Sequence, residues 1–185
     1  QAYASLSYAG PEEIEETISQ VKEQGFNAVK IRIGVSTDKD EEIVRKAREI
    51  SGPQMLIMAD VNSGWNRRDA AARAKKLEQY GLSWIEEPLP SHDISGLSDL
   101  AEKTTIPIAI GEHQIFNRYD ARDIAITKAG SIVQPDLRVG GISECRRIAD
   151  VASAWDIPCI PHYFGNFVRL AAMAHLLGSI SNAWL

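Results

Sequence analysis

Residues 84–90 read Trp84-Ile85-Glu86-Glu87-Pro88-Leu89-Pro90. Two apolar residues run into two adjacent carboxylates. Two prolines then end the segment, because proline cannot donate to a strand ladder. Like charges side by side at the end of an apolar strand repel each other, so a cation is expected beside one of them. The same construction recurs along the chain. Asp60, Glu86, Glu112, Asp136 and His162 follow one another at intervals of 26, 26, 24 and 26 residues. Each interval is one strand plus one helix, which puts each residue at the C-terminal end of its strand.

The rest of the chain keeps that alternation. Short runs rich in Ile and Val at 28–33, 55–61, 84–86, 106–110, 131–134 and 157–160 read as strands, with a weaker one at 2–7. Charged stretches of helical period lie between them, at 11–24, 38–50, 67–80, 97–102, 119–127, 142–154 and 166–177. Pro11 with Glu12 and Glu13 suits a first helical turn, and Asp38 before Glu41 has capping-box spacing. Gly25, Gly81 and Gly130 stand where left-handed helix ends are expected. Seven β-α units in series, with no break in composition, predict an α/β fold with a parallel sheet closed into a TIM-like barrel. A phosphate-binding glycine fingerprint would favour an open doubly wound sheet. The chain has none, and Gly140-Gly141 reads as a turn into a helix.

Composition excludes several classes. The chain has 185 residues, a formal charge of −5 and 44% hydrophobic residues, which is ordinary globular material. Mild acidity and the lack of a basic stripe argue against a nucleic-acid partner. No apolar run is long enough for a membrane span. Cys145 and Cys159, with no CxxC spacing, read as reduced and buried, which predicts a cytoplasmic setting.

Strand ends of a barrel converge on one mouth, where such folds keep their active sites. Singly, each acid reads as a solvated loop residue or a cap. Jointly, three carboxylates from successive strands require a proton or a cation among them. An all-oxygen set suits Mg²⁺, with Mn²⁺ as substitute, and the lack of Cys or His among the three argues against zinc. The predicted metal ligands are Asp60, Glu86 and Glu112. Strand alternation puts Lys30 and Arg32 on one face, and Asp60 with Asn62 likewise. Ile85 should face the helices, so its neighbour Glu86 is preferred to Glu87. His162, ending its strand in phase with the acids, joins the site. Asn62 and His113 are candidate substrate contacts. His92 reads as a solvated loop residue and His175, mid-helix, as structural.

The segments VKIRIG, MADVN, WIEEP, IGE, QPDLRVGGI and the strand-end pair Pro161-His162 together resemble the mandelate racemase and muconate lactonizing enzyme-like branch of the enolase superfamily. The resemblance runs over nearly the whole chain. It implies a modified (β/α)₇β barrel, normally preceded by a capping domain, and Mg²⁺ on Asp60, Glu86 and Glu112. It also implies paired basic positions at Lys30 and Arg32 and an Asp–His dyad at Asp136 and His162. On this reading residues 1–185 are the barrel part of a longer enzyme, with the capping domain absent and the eighth strand only beginning at 182–185. Such a piece is expected to be inactive by itself.

The implied chemistry is removal of the proton next to a carboxylate, through an enediolate. Lys30 would add positive charge, and His162, oriented by Asp136, would be the base. The family commonly carries a second lysine base where this chain has Arg32, and a guanidinium holds its proton too tightly for that role. One-base chemistry therefore favours dehydration of a sugar acid to a 2-keto-3-deoxy acid. Racemisation or epimerisation of a 2-hydroxy acid is the alternative, and a non-catalytic metal-binding barrel is a reading of another class. The expected partners are a small carboxylate substrate and further copies of the chain, with neither nucleic acid nor membrane.

Overall fold

The apolar runs form short parallel strands, and the charged runs between them form helices. The computed structural model describes residues 2–184. It falls into two compact units, Gln1–Pro107 and Ile108–Leu185.

In the first unit β1 (Ala4–Ser5), β2 (Ala28–Arg32), β3 (Leu56–Asp60) and β4 (Trp84–Glu86) pair in that order, all parallel. The register places Arg32 opposite Asp60 and Asp60 opposite Glu86. One row of charge therefore crosses three strand ends. Strand alternation gives the opposite face to Val29, Ile31, Ile57, Ala59 and Ile85, all buried. The helices α1 (Ile14–Glu23), α2 (Thr37–Ser51), α3 (Ala70–Leu77) and α4 (Ile94–Ala101) complete this unit, with Ile18, Ile43, Val44 and Leu97 buried from their apolar stripes.

In the second unit β5 (Ile108–Ile110) pairs parallel with β6 (Ile132–Val133). Helices α5 (Arg118–Thr127), α6 (Gly141–Ser153) and α7 (Phe167–Leu177) follow. The strand expected at 157–160 survives only as parallel bridges from Cys159 to Val133 and from His162 to Asp136. Pro158 and Pro161 account for this, since neither has an N–H to extend a ladder. Ala183 bridges to Cys159, where the sequence places the start of an eighth strand. Gln1 and the predicted strand residue Leu185 lie outside the described residues.

Several local expectations need correction. Helix α2 is capped by Ser36, whose hydroxyl accepts from the Lys39 N–H, and not by Asp38. Pro11 lies in a turn before α1 rather than in its first turn. Gly25 and Gly81 take positive φ as predicted, but after α5 it is Lys128 that turns left-handed. Gly130 is needed for space instead, because a Cβ there would come 2.7 Å from Ile110 Cγ1. Gly140 and Gly141 take φ of +145° and +65° at the entry to α6, as the turn reading requires. Both cysteines are buried free thiols. Among the described residues no helix is long and apolar enough to cross a membrane.

Candidate active site

The first unit gathers four of the predicted residues. Lys30 is buried on β2, and its ammonium is bonded to Glu86 Oε1 and lies 3.8 Å from Asp60 Oδ2. Arg32 Nη1 lies 3.3 Å from Asp60 Oδ2. Glu86 also accepts from Trp84 Nε1 at 3.2 Å, which ties two same-face residues of one strand together. Asp60 Oδ1 accepts the Asn62 N–H at 2.9 Å.

These distances set the electrostatics. Burial alone would lower the Lys30 ammonium, but Glu86, Tyr3 and Asp60 overcome it and raise it to about 12. Lys30 therefore stays a cation. Asp60 is raised above the usual carboxylate range by burial and by the Glu86 charge, against the opposing pull of Lys30, Arg32 and the Asn62 N–H. Tyr3 completes the surround. Its ring meets Trp84 edge-on at 5.9 Å, and Lys30 Nζ stands 6.0 Å from its centroid.

The second unit gathers the others. Asp136, fully buried, takes His162 Nδ1 on Oδ2 at 2.8 Å. The Arg138 N–H donates to Asp136 Oδ1 at 2.7 Å, and Arg138 Nε lies 3.0 Å from Oδ2. Burial would raise this carboxyl, but the Arg138 N–H, the His162 ring and the Arg138 charge together hold it below its ordinary value. Glu112 Oε1 lies 3.2 Å from Arg138 Nη2, and Oε2 lies 3.3 Å from His162 Nε2. His113 is exposed, with Nε2 at 3.7 Å from Glu112.

The fit to a metal divides in two. Asp60 and Glu86 offer buried carboxylate oxygens from one face, in register, and burial with mutual repulsion leaves Asp60 short of positive charge. That is the donor chemistry of a hard dication. Among the described residues, however, no three His, Cys, Asp or Glu side chains form a metal-holding group. Glu112 is described with Arg138 and His162.

Other sequence expectations shift. Asn62 does not continue the face of Asp60, because it lies past the end of β3 with φ +48° and is exposed. Glu87, with φ +46°, has likewise left the strand, although it is buried. His175 is exposed rather than a packed helix residue, and His92 is exposed as expected. Two groups escape the sequence reading. Arg138 stands two residues after Asp136 inside QPDLRVGGI, and that closeness to a buried acid was its only signal. Tyr3 had none beyond its place at the start of a weak strand.

The family model for enolase C-terminal-domain-like chains matches residues 13–185. Arabinonate dehydratase of Saccharolobus solfataricus is 31% identical over 87% of this chain and 43% of its own length. The solved 3,6-anhydro-D-galactonate cycloisomerase of Zobellia galactanivorans superposes with a TM-score of 0.92 at 31% identity, over 98% of this chain and 51% of that one. An enolase from Bradyrhizobium, solved with magnesium and mandelic acid, gives a TM-score of 0.88 at 30% identity, over 99% and 50% of the two chains. The chain belongs to the mandelate racemase-like enolase superfamily and has the TIM-like α/β barrel fold of its C-terminal domains. It spans about half the length of the curated relatives it matches.

Proposed function

We propose that the whole protein dehydrates a sugar acid to a 2-keto-3-deoxy acid, with this chain supplying the proton-transfer groups. The observation that carries the reading is the 2.8 Å contact between the buried Asp136 carboxylate and His162 Nδ1. Asp136 accepts the Nδ1 proton and so leaves the lone pair on Nε2. His162 Nε2 takes the proton α to the substrate carboxylate. The imidazolium then returns that proton to the β-hydroxyl as its C–O bond breaks, so that water leaves and an enol remains to become the keto acid. Lys30, held as a cation at about 12, stabilises negative charge growing on the substrate. Arg32, at the strand end, clamps a substrate oxygen.

Asp60 and Glu86 would hold Mg²⁺ or Mn²⁺. The ion, when bound, supplies Lewis-acid polarisation of the substrate carboxylate. The similarity to a named dehydratase and to a magnesium-bound superfamily structure supports both parts of this reading. A racemase would need a second base, and neither the Lys30 ammonium nor the Arg32 guanidinium supplies one. The buried free thiols support a cytoplasmic setting.

The test is a screen of sugar acids with the whole protein and Mg²⁺, scored for 2-keto acid and for deuterium exchange at the α-carbon. Both signals should require His162 and vanish in His162→Asn. Equal exchange of both enantiomers without loss of water would make the protein a racemase. Metal-induced stabilisation with no exchange on any acid would make it a binding barrel.

A further inference from the structure

Arg138 has no part in the proposed proton transfer, yet it touches both acids that flank His162. Nε lies 3.0 Å from Asp136 Oδ2, Nη2 lies 3.2 Å from Glu112 Oε1, and its main-chain N–H donates to Asp136 Oδ1 at 2.7 Å. The His162 ring lies between the same two carboxylates, at 2.8 Å through Nδ1 and 3.3 Å through Nε2. Imidazole, Asp136, guanidinium and Glu112 thus close a cycle.

A lone His–Asp contact leaves two freedoms. The carboxylate can rotate about its last bond, and the imidazole can swing about the N···O axis. Arg138 restricts the first, because its main-chain N–H donates to Asp136 Oδ1 and its charged Nε stands 3.0 Å from Oδ2. Glu112 limits the second from the far side of the ring, while Arg138 holds the other Glu112 oxygen. A guanidinium can do this for two acids together, since its fork of donors is planar and fixed. A lysine ammonium is a point charge without that fork. The backbone places the residue for the task, in a short 3₁₀ turn (Leu137–Val139) that begins on Asp136 and ends at Gly140. A Cβ at Gly140 would come 2.5 Å from Glu144 Cβ, so the turn has no space for a side chain there.

We propose that Arg138 is a positioning residue, which braces Asp136 and Glu112 so that the His162 ring keeps its Nδ1 contact with Asp136 and one plane. The inference rests on His162 being the proton-transfer group of the proposed function. Its test has one arm that needs no substrate. Wild type, Arg138→Gln and Arg138→Lys are labelled with ¹⁵N-histidine, and His162→Asn assigns the His162 signals among the four histidines. Wild type should show one set of His162 signals with a slowly exchanging Nδ1 proton. In Arg138→Gln the Nδ1 proton should exchange faster by about tenfold, the equivalent of one lost hydrogen bond. Arg138→Lys should behave like the glutamine variant, because it keeps the charge and loses the fork.

Unchanged His162 signals in the glutamine variant overturn the proposal. Restoration by lysine overturns it too, since charge alone would then suffice. Unfolding of both variants in circular dichroism assigns Arg138 to stability and also overturns it. In the second arm, on the whole protein, kcat should fall by about 10- to 100-fold with KM little changed, the scale of a small misplacement of a catalytic group. Unchanged kcat beside altered ring signals counts against positioning. Altered ring signals in a protein that acts on no sugar acid remove the proposed function and leave the brace intact.

Discussion

Lys30→Met removes the cation buried between two acids while keeping much of its apolar stem. In the wild type the ammonium is bonded to Glu86 and stands 3.8 Å from Asp60. At an effective dielectric of about 20, a pair at that distance is worth about 4 kcal/mol of attraction. Glu86 is 2% exposed and Asp60 8%, so water cannot replace the lost partner. Removing one member of a buried ion pair typically costs about 3–5 kcal/mol. For 185 residues this is a Tm lower by roughly 10 °C.

The pH dependence has a defined sign. Burial and the Glu86 charge already raise the Asp60 carboxyl, and Lys30 opposes them. Without Lys30 the folded Asp60 carboxyl holds its proton more tightly than the unfolded chain does. Such groups favour folding below their unfolded pKa and lose that contribution as pH rises. The gap between wild type and variant should therefore be smallest at and below the ordinary carboxylate value of 3.8 and widen as pH rises above it. Differential scanning fluorimetry across that rise in pH reads it directly. A variant melting within about 1 °C of wild type at both ends would show that Lys30 does not balance these acids.

Other perturbations test the frame around the site. Asp40 is buried and accepts from the Gly34 and Val35 N–H groups, Trp65 Nε1 and Arg73 Nη1. Asp40→Asn keeps the shape but turns a donor towards Trp65 and Arg73, and should cost about 1–3 kcal/mol in urea unfolding with an unchanged m value. Glu78 is held at about 2 by the Lys75 ammonium and the Thr105 N–H. Its folded value lies below the unfolded one of 4.5, so its stabilisation is present above about pH 4.5 and disappears as pH falls towards 2. Acid unfolding of Glu78→Gln should match wild type at the low end of that window and fall behind it at neutral pH.

How much of this was legible depends on whether the backbone or a side chain carries the contact. The 26-residue interval between Asp60 and Glu86 reappears as strand register, and so does that between Asp136 and His162. A unit of strand and helix returns the chain to the same level, so spacing along the sequence becomes alignment in space. Parity worked on the strands themselves and failed one step beyond them. At Asn62 the backbone turns left-handed, and the alternation that would place its side chain ends with the strand. The braces were not legible. Asp40 reaches Trp65 across 25 positions, and Arg138 reaches Glu112 across 26. Both contacts depend on the length and aim of one side chain, which periodicity does not encode.

The two basic residues of β2 show why position within a strand end sorts chemistry. Both carry one positive charge, and alternation puts them on one face. Lys30, one layer deeper, lies among Glu86, Asp60 and the Tyr3 ring, and those neighbours outweigh the burial that would otherwise free its proton. Its surroundings thus favour the protonated form, against the loss of a proton that burial alone gives a lysine. Arg32 stands at the last strand residue, with its side chain 36% exposed and a single 3.3 Å link to Asp60. It is the one with donors left for a substrate. On the proposed function, replacing Arg32 by lysine would therefore be the smallest change that puts a second group able to give up its proton beside the substrate.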